Sequence, residues 1–253
     1  SYTFQIYFDF SGYCDMAVGL GYMFNIELPI NFNSPYKSYS VVEFWKRWHM
    51  TLTRFFTTYI YIPLGGNRKG KIRTYINIFI VFLTSGIWHG ANFTFILWGI
   101  LHGIASILNR IFKNVIEKTN EVFNWICTFL FINFTWIIFR ADSISNAISI
   151  IKHILKLNFE PISSDIIEAF TLPEFTILTD LVGKKAWIAE NYNTLYLLMF
   201  FAFAFFAILC MKNTQERVKE FSPSIKNAIV SSILLVLSII SLSGVSTFLY
   251  FNF

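Results

Sequence analysis

Ser85-Gly86-Ile87-Trp88-His89-Gly90-Ala91-Asn92 is a polar stretch inside the longest uncharged run of the chain, residues 74–109. As one helix, that run would be about 54 Å long, against a hydrocarbon core of about 30 Å. One straight span cannot use it all, so the sequence predicts two apolar arms with a break between them. Irregular backbone at membrane depth is tolerated only where protein or a water-filled cavity surrounds it.

His89 is the ionisable residue in this break. An ionisable side chain within a membrane segment is expensive and indicates a functional site. A transporter or flippase for a lipid or polysaccharide precursor also has broken helices at mid-depth, although no matching pair of broken segments is visible here. A structural membrane subunit would explain the hydrophobicity, but not the histidine, tryptophan and glycine motifs.

The composition is that of a membrane protein. Of 253 residues, 55% are hydrophobic and 14% are charged, whereas soluble domains carry about 25% charged residues. The formal net charge is +5, but the basic residues lie in short loops between apolar segments, a pattern typical of cytoplasmic loops. This argues against nucleic-acid binding. The three cysteines and four histidines have no metal-type spacing, so no metal site is predicted.

The hydrophobic pattern predicts an all-α, polytopic membrane bundle. We expect one membrane domain over 1–253, which is the C-terminal part of a longer protein. Its parts are a motif-bearing core (1–141), an amphipathic helix with an extracytoplasmic loop (142–191) and the last two spans (192–253). The predicted segments are a membrane helix over 2–26 broken near Ser11-Gly12, an amphipathic helix over 41–61, a span over 122–139, a short amphipathic helix over 143–156, an acid-rich loop over 160–190, and spans over 192–211 and 227–253.

Two further features leave alternatives open. His49 lies at the boundary between the apolar and polar faces of the 41–61 helix, which suits a helix in the interface or lining a cavity. It is either functional or a boundary histidine that reaches towards water.

In the loop over 63–70, two glycines precede Arg68 and Lys69. They either cradle a phosphate or mark the cytoplasmic side.

Several motifs in this order resemble the membrane-bound O-acyltransferase family, and within it the alginate O-acetyltransferase branch. The match is dense over 1–141, and Phe93 stands where branch members commonly have tryptophan. The motifs are Tyr7-Phe8-Asp9-Phe10-Ser11-Gly12-Tyr13, Phe44-Trp45-Lys46-Arg47-Trp48-His49-Met50-Thr51-Leu52, Tyr61-Ile62-Pro63-Leu64-Gly65-Gly66-Asn67-Arg68, Trp88-His89-Gly90-Ala91, Trp98-Gly99, His102-Gly103 and Phe248-Leu249-Tyr250-Phe251.

The resemblance implies a bundle with a tunnel and with re-entrant or interfacial helices, in lipid of a bacterial cytoplasmic membrane. It implies no bound cofactor and a cytoplasmic thioester donor, either acetyl-coenzyme A or an acyl-carrier thioester. The acyl group, an acetyl group in this branch, would reach hydroxyls of a surface polysaccharide, often through an extracytoplasmic partner of the SGNH acetyltransferase type. His89 matches the family's catalytic histidine, and His49 matches its second motif histidine.

Transfer from a thioester to a hydroxyl needs a base and donors that stabilise an oxyanion. We predict His89 as the base, because imidazole titrates near neutral pH, and His49 as a residue that orients substrate or assists proton movement. A ping-pong route through an acyl-histidine stays open. The predicted substrate- or donor-binding residues are Asn92, Ser85, Arg68, Lys69 and His102.

Overall fold

The computed structural model describes residues 1–156 and 186–240, and side chains within 1–156 and 194–239. In these residues all regular structure is helical, which confirms the all-α prediction. They fall into two compact units, one within 2–144 and 212–253 and one within 145–211. The single-domain prediction stays a prediction.

The helices follow one another with short connections up to residue 156. In chain order the α-helices are α1 (Tyr2–Met23), α2 (Val41–Arg47), α3 (Met50–Phe56), α4 (Lys71–His89), α5 (Phe93–Ile111), α6 (Lys113–Ile116), α7 (Glu121–Arg140), α8 (Ile144–Leu155), α9 (Ala186–Cys210), α10 (Thr214–Lys219) and α11 (Ile225–Ile240). A short 3-10 helix (Pro35–Lys37) precedes α2, and a π-helical turn (Thr57–Tyr61) follows α3.

Helices α4 and α5 are the two arms of the long uncharged run, and the predicted break lies between them at residues 90–92. Ser85 and Gly86, expected in the break, instead belong to α4. The two helices approach closely at Gly86 and Gly99, where a Cβ on Gly86 would lie 2.4 Å from the Phe95 carbonyl oxygen. Small residues permit such contact between membrane helices.

The predicted continuous helix over 41–61 is wrong, because the chain is interrupted between α2 and α3. His49 adopts a left-handed conformation there, with φ 43° and ψ 53°. The preceding connector takes over the backbone hydrogen bonds. The Asn33 N–H donates to the Arg47 carbonyl and the Met50 N–H donates to the Asn31 carbonyl, both at 2.9 Å.

The predicted break in the first helix is also wrong, since α1 is continuous through Ser11-Gly12. Gly12 has open space around the position of a Cβ. The small residues therefore mark no kink at this point.

Within the described residues, α5 and α7 are long and apolar enough to cross a membrane by length and composition. Helix α7 covers the predicted 122–139 span and α8 the predicted amphipathic helix. Helices α9 and α11 cover the 192–211 segment up to 210 and the start of the 227–253 segment. Residues 160–185 of the predicted acid-rich loop, and the Phe248–Phe251 motif, lie outside the described residues. The loop prediction is wrong for residues 186–190, which belong to α9.

Candidate active site

His89 is the last residue of α4, and the helix stops there because Gly90 adopts a φ of 152°. A Cβ on Gly90 would lie 2.8 Å from the Phe95 ring, so the turn favours glycine at this position. The His89 ring meets Trp98 and Phe139 edge-on, with ring centres 5.3 and 5.1 Å away. Neither ring nitrogen of His89 forms a hydrogen bond within the described residues. These nitrogens are therefore free to meet a substrate.

His49 lies at the junction of α2 and α3, which are both too short to cross a membrane. Its Nδ1 is 3.0 Å from the Oδ1 atom of Asn31. Its Nε2 is buried and has no partner among the described residues. Burial lowers the pKa of His49 to about 4, so the imidazole is neutral near pH 7 and can accept a proton.

The two histidines line one small cavity of about 20 Å³, although 40 residues separate them in the chain. Trp98 also lines it, and its indole N–H is buried without a partner in the described part of the chain. Two imidazoles and a free N–H donor therefore surround the same space. The other lining residues are Ile6, Phe10, Trp45, Trp48, Leu52, Trp136 and Phe139.

A larger cavity of about 290 Å³ adjoins His49 on another side. His49, Trp45 and Leu52 line both cavities. The walls of the larger one are mostly apolar, but the Ser106 hydroxyl is buried there without a partner in the described residues. Lys46 and Arg110 are exposed residues of the same lining. This space can take an elongated ligand with an anionic end.

The sequence analysis missed Lys46 and Arg110. Lys46 stands three residues before His49, within the same predicted amphipathic segment, which was a usable signal. Arg110 lies near the end of α5, and only the packing of α5 beside α2 brings it to the cavity.

Arg68 and Lys69 are exposed in the turn between α3 and α4 and line neither cavity. The amide of Asn77 donates to the Gly66 carbonyl at 2.9 Å and so holds this turn against α4. The assignment of Arg68 and Lys69 to donor binding stays a prediction.

Ser85 and Asn92 differ in their placement. Ser85 is buried and lines the larger cavity. Asn92 caps α5, since its Oδ1 accepts from the Thr94 N–H at 3.1 Å, and its Nδ2 donates to the Asp142 carbonyl at 2.8 Å. It lines neither cavity, and its geometry is that of a residue that fixes the turn after His89.

His102 is 1% exposed and has partners at both ring nitrogens. The Trp45 indole N–H donates to Nδ1 at 3.0 Å, so Nε2 carries the proton and donates to the Thr135 hydroxyl, also at 3.0 Å. His102 therefore links α2, α5 and α7 and orients Trp45. This geometry favours a positioning role, and its assignment to substrate binding stays a prediction.

Replacing His102 with alanine is expected to lower the free energy of unfolding by about 2–4 kcal/mol, because it opens a cavity, leaves the Trp45 indole N–H without its acceptor and removes the donor to the Thr135 hydroxyl. Thermal inactivation of the protein in membranes measures this. The exposed residue His153 on α8 offers a matched control, since His153→Ala should change stability by less than about 0.5 kcal/mol. Equal stability of the two variants would contradict the linking role.

The described residues contain no group of three histidine, cysteine, aspartate or glutamate side chains that could hold a metal ion. The polar groups around the two cavities are imidazole, indole and hydroxyl groups, with the cations of Lys46 and Arg110. Its chemical capacity is proton transfer and hydrogen-bond donation.

Comparison with known proteins gives a family match over this same region. Residues 1–145 match the model of the membrane-bound O-acyltransferase family. The chain is 41% identical, over its whole length, to a peptidoglycan O-acetyltransferase of Helicobacter pylori, of which it covers 48%. It is 47% identical over 148 residues, 58% of this chain, to a Pseudomonas aeruginosa protein named "Probable alginate O-acetylase AlgI", of which it covers 28%.

A more distant similarity extends to a teichoic acid D-alanyltransferase of Bacillus subtilis. The identity is 33% over 132 residues, which is 49% of this chain and 32% of that protein. The chain thus spans about half the length of the first relative and less than a third of the second and third.

Proposed function

The chain belongs to the membrane-bound O-acyltransferase family, and from that premise we propose that it transfers an acyl group, an acetyl group in particular, from a thioester to hydroxyls of a surface polysaccharide. The observation that carries this proposal is the pair His49 and His89 around one small cavity. That cavity adjoins, at His49, a larger space with two cationic residues. The larger space can take the arm of a donor, and the small cavity, which has room for about one water molecule, is bordered by the two histidines.

The reaction needs one base and one oxyanion donor, and the small cavity offers both. The acceptor oxygen attacks the thioester carbonyl, and His89 takes the hydroxyl proton. The Trp98 N–H donates a hydrogen bond to the negative charge that develops on the carbonyl oxygen. The carbon–sulfur bond then breaks, and the proton passes to the departing sulfur, so that an ester and a free thiol are formed.

The larger cavity suits a donor such as acetyl-coenzyme A or an acyl-carrier thioester. Both donors have a long arm that ends in phosphate. Lys46 and Arg110 are not in ion pairs within the described residues, so they can bind phosphate oxygens. The arm would lie along the apolar walls and bring the thioester past His49 to the small cavity.

We propose a multi-pass bundle in the cytoplasmic membrane of a bacterium, with a tunnel that joins the two cavities to both faces. The two long apolar helices, α5 and α7, support the membrane setting. The names of the relatives, which include a peptidoglycan O-acetyltransferase and an alginate O-acetylase, support a glycan acceptor. Transfer through an extracytoplasmic partner of the SGNH type is part of the same proposal.

The test is to delete the gene and restore it, and to measure alkali-labile acetate on purified surface glycans. We expect the ester to disappear with the gene and to return with it, at an unchanged amount of glycan. A transporter or flippase would instead change the amount of glycan and leave the ester per sugar unaltered. That second result would overturn the proposed function.

Removing a cation from the larger cavity is expected to weaken donor binding. Lys46→Gln and Arg110→Gln should each raise the KM for acetyl-coenzyme A by about 5–10-fold, with a small change in kcat, because the phosphate contact is the same in ground state and transition state. Release of free thiol by membranes that contain the complete protein measures both constants. Lys118→Gln, an exposed change outside both cavities, is the control, and a KM equal to that of the control would contradict the phosphate contact.

A further inference from the structure

We propose that Asn31 is a positioning residue that holds His49 in its Nδ1–H tautomer, so that Nε2 enters the reaction as a proton acceptor. This inference rests on the proposed function for its place in the reaction. The proton assignment itself rests on hydrogen bonds around one side-chain amide.

The orientation of the Asn31 amide is set by a donor that cannot change its role. The backbone N–H of Thr51 lies 3.2 Å from the atom assigned as Oδ1, and a backbone N–H only donates. The Thr51 hydroxyl donates to the same oxygen at 2.9 Å. The other end of the amide, Nδ2, donates to the Cys14 sulfur at 3.3 Å. Asn31 therefore presents its oxygen to His49.

The tautomer of His49 follows from this orientation. Since Oδ1 can only accept, the contact at 3.0 Å requires a proton on Nδ1 of His49. In the neutral ring, Nε2 then carries the lone pair. This nitrogen is buried without a partner in the described residues, and His49 borders both cavities.

The same residue also fixes the backbone that carries His49. The Asn31 carbonyl accepts from the Met50 N–H at 2.9 Å, directly after the left-handed His49. Asn31 thus fixes both the position of the His49 ring and the ring nitrogen that carries its proton. By comparison, no hydrogen bond within the described residues selects a tautomer for His89.

A lone pair on His49, the histidine that borders both cavities, has a specific use in the proposed reaction. The proton leaves the acceptor oxygen in the small cavity and ends on the sulfur of the donor, which arrives through the larger one. His89 takes that proton first, and His49 Nε2 can then hold it before it reaches the sulfur. It cannot donate to an oxyanion while the ring is neutral, so that task falls to the Trp98 N–H.

Other titratable groups near His49 influence its protonation. Four of them line a cavity together with His49, and the fifth, Cys14, accepts a hydrogen bond from Asn31. The four are Lys46, Tyr61, His89 and Arg110. The cations among them oppose a second positive charge on His49. A carboxylate in place of the Asn31 amide would have the opposite effect, at the same oxygen position.

The experiment follows the pH dependence of His49 labelling by diethyl pyrocarbonate, which acylates an unprotonated imidazole nitrogen. The complete protein in membranes is labelled across a pH series, and the peptide of residues 48–54 is quantified by mass spectrometry. Asn31→Asp keeps the acceptor oxygen and adds charge, so we expect its labelling midpoint to lie about 1–3 pH units above that of wild type. Asn120→Asp is the matched control, because Asn120 caps α7 through its Oδ1 and lies outside both cavities.

Each outcome decides the inference. A midpoint that rises in Asn31→Asp and stays at the wild-type value in Asn120→Asp supports it. Equal midpoints in all three proteins, or a wild-type His49 that is not labelled at any pH, would overturn it.

The glycan ester is measured separately in cells, where Asn31→Ala should reduce it at least 10-fold. A gene-dependent ester with an unshifted midpoint rejects this inference alone, whereas a shifted midpoint without any gene-dependent ester rejects the proposed function alone.

Discussion

Cells that carry His89→Ala are expected to lose the alkali-labile ester of their surface glycan, with a fall in transfer rate of about 10²–10⁴-fold. A positioned base contributes this much to a proton-transfer step. His89 is suited to the role because its ring nitrogens form no hydrogen bond in the described part of the chain, and because it lines the same cavity as Trp98, whose N–H has no partner there. The measurement is acetate released by alkali from purified glycan, at matched levels of protein in the membrane.

The control for this variant is His153→Ala, which removes an exposed imidazole on α8 and should leave the ester at its wild-type level. Thermal inactivation of both variants separates lost chemistry from lost folding. If His89→Ala retained a wild-type ester level, His89 would be a buried structural histidine. The proposed mechanism would then be rejected.

The second large effect concerns the packing of the α4–α5 hairpin. Gly86→Ala is expected to destabilise the protein by about 1–3 kcal/mol or more, because its Cβ would lie 2.4 Å from the Phe95 carbonyl oxygen. Backbone cannot move aside as the end of a side chain can, so the two helices must separate. Gly99 makes the reciprocal contact, with a Cβ position 2.5 Å from the Phe82 carbonyl oxygen.

Gly19→Ala provides the matched control, since this glycine is also helical and has open space at its Cβ position. Alanine has the higher helix propensity, so this change should be neutral or stabilising by up to about 1 kcal/mol. Thermal inactivation in membranes compares the two variants. If they were equally stable, the close approach of α4 and α5 would not contribute to stability.

The break before α5 and the span of α7 could be predicted because they depend on residues that are neighbours in sequence. Gly90 ends one helix, and Asn92 begins the next through its own side chain. The interruption at His49 could not be predicted in this way. The 41–47 and 50–56 segments have a continuous amphipathic pattern, and the hydrogen bonds that divide them come from Asn31 and Asn33.

The sequence by itself determined the membrane character of the chain and its helices of strong periodicity, and it singled out His49 and His89 as candidate site residues. These follow from hydrophobicity and from local motifs, which operate within a few helical turns. Only the tertiary structure decided that His49 and His89 share a cavity, that His102 has both nitrogens occupied, and that Lys46 and Arg110 rather than Arg68 and Lys69 line the larger space. The reason is that such contacts depend on how helices cross. The crossing is set by close approach at Gly86 and Gly99 and by hydrogen bonds between distant residues.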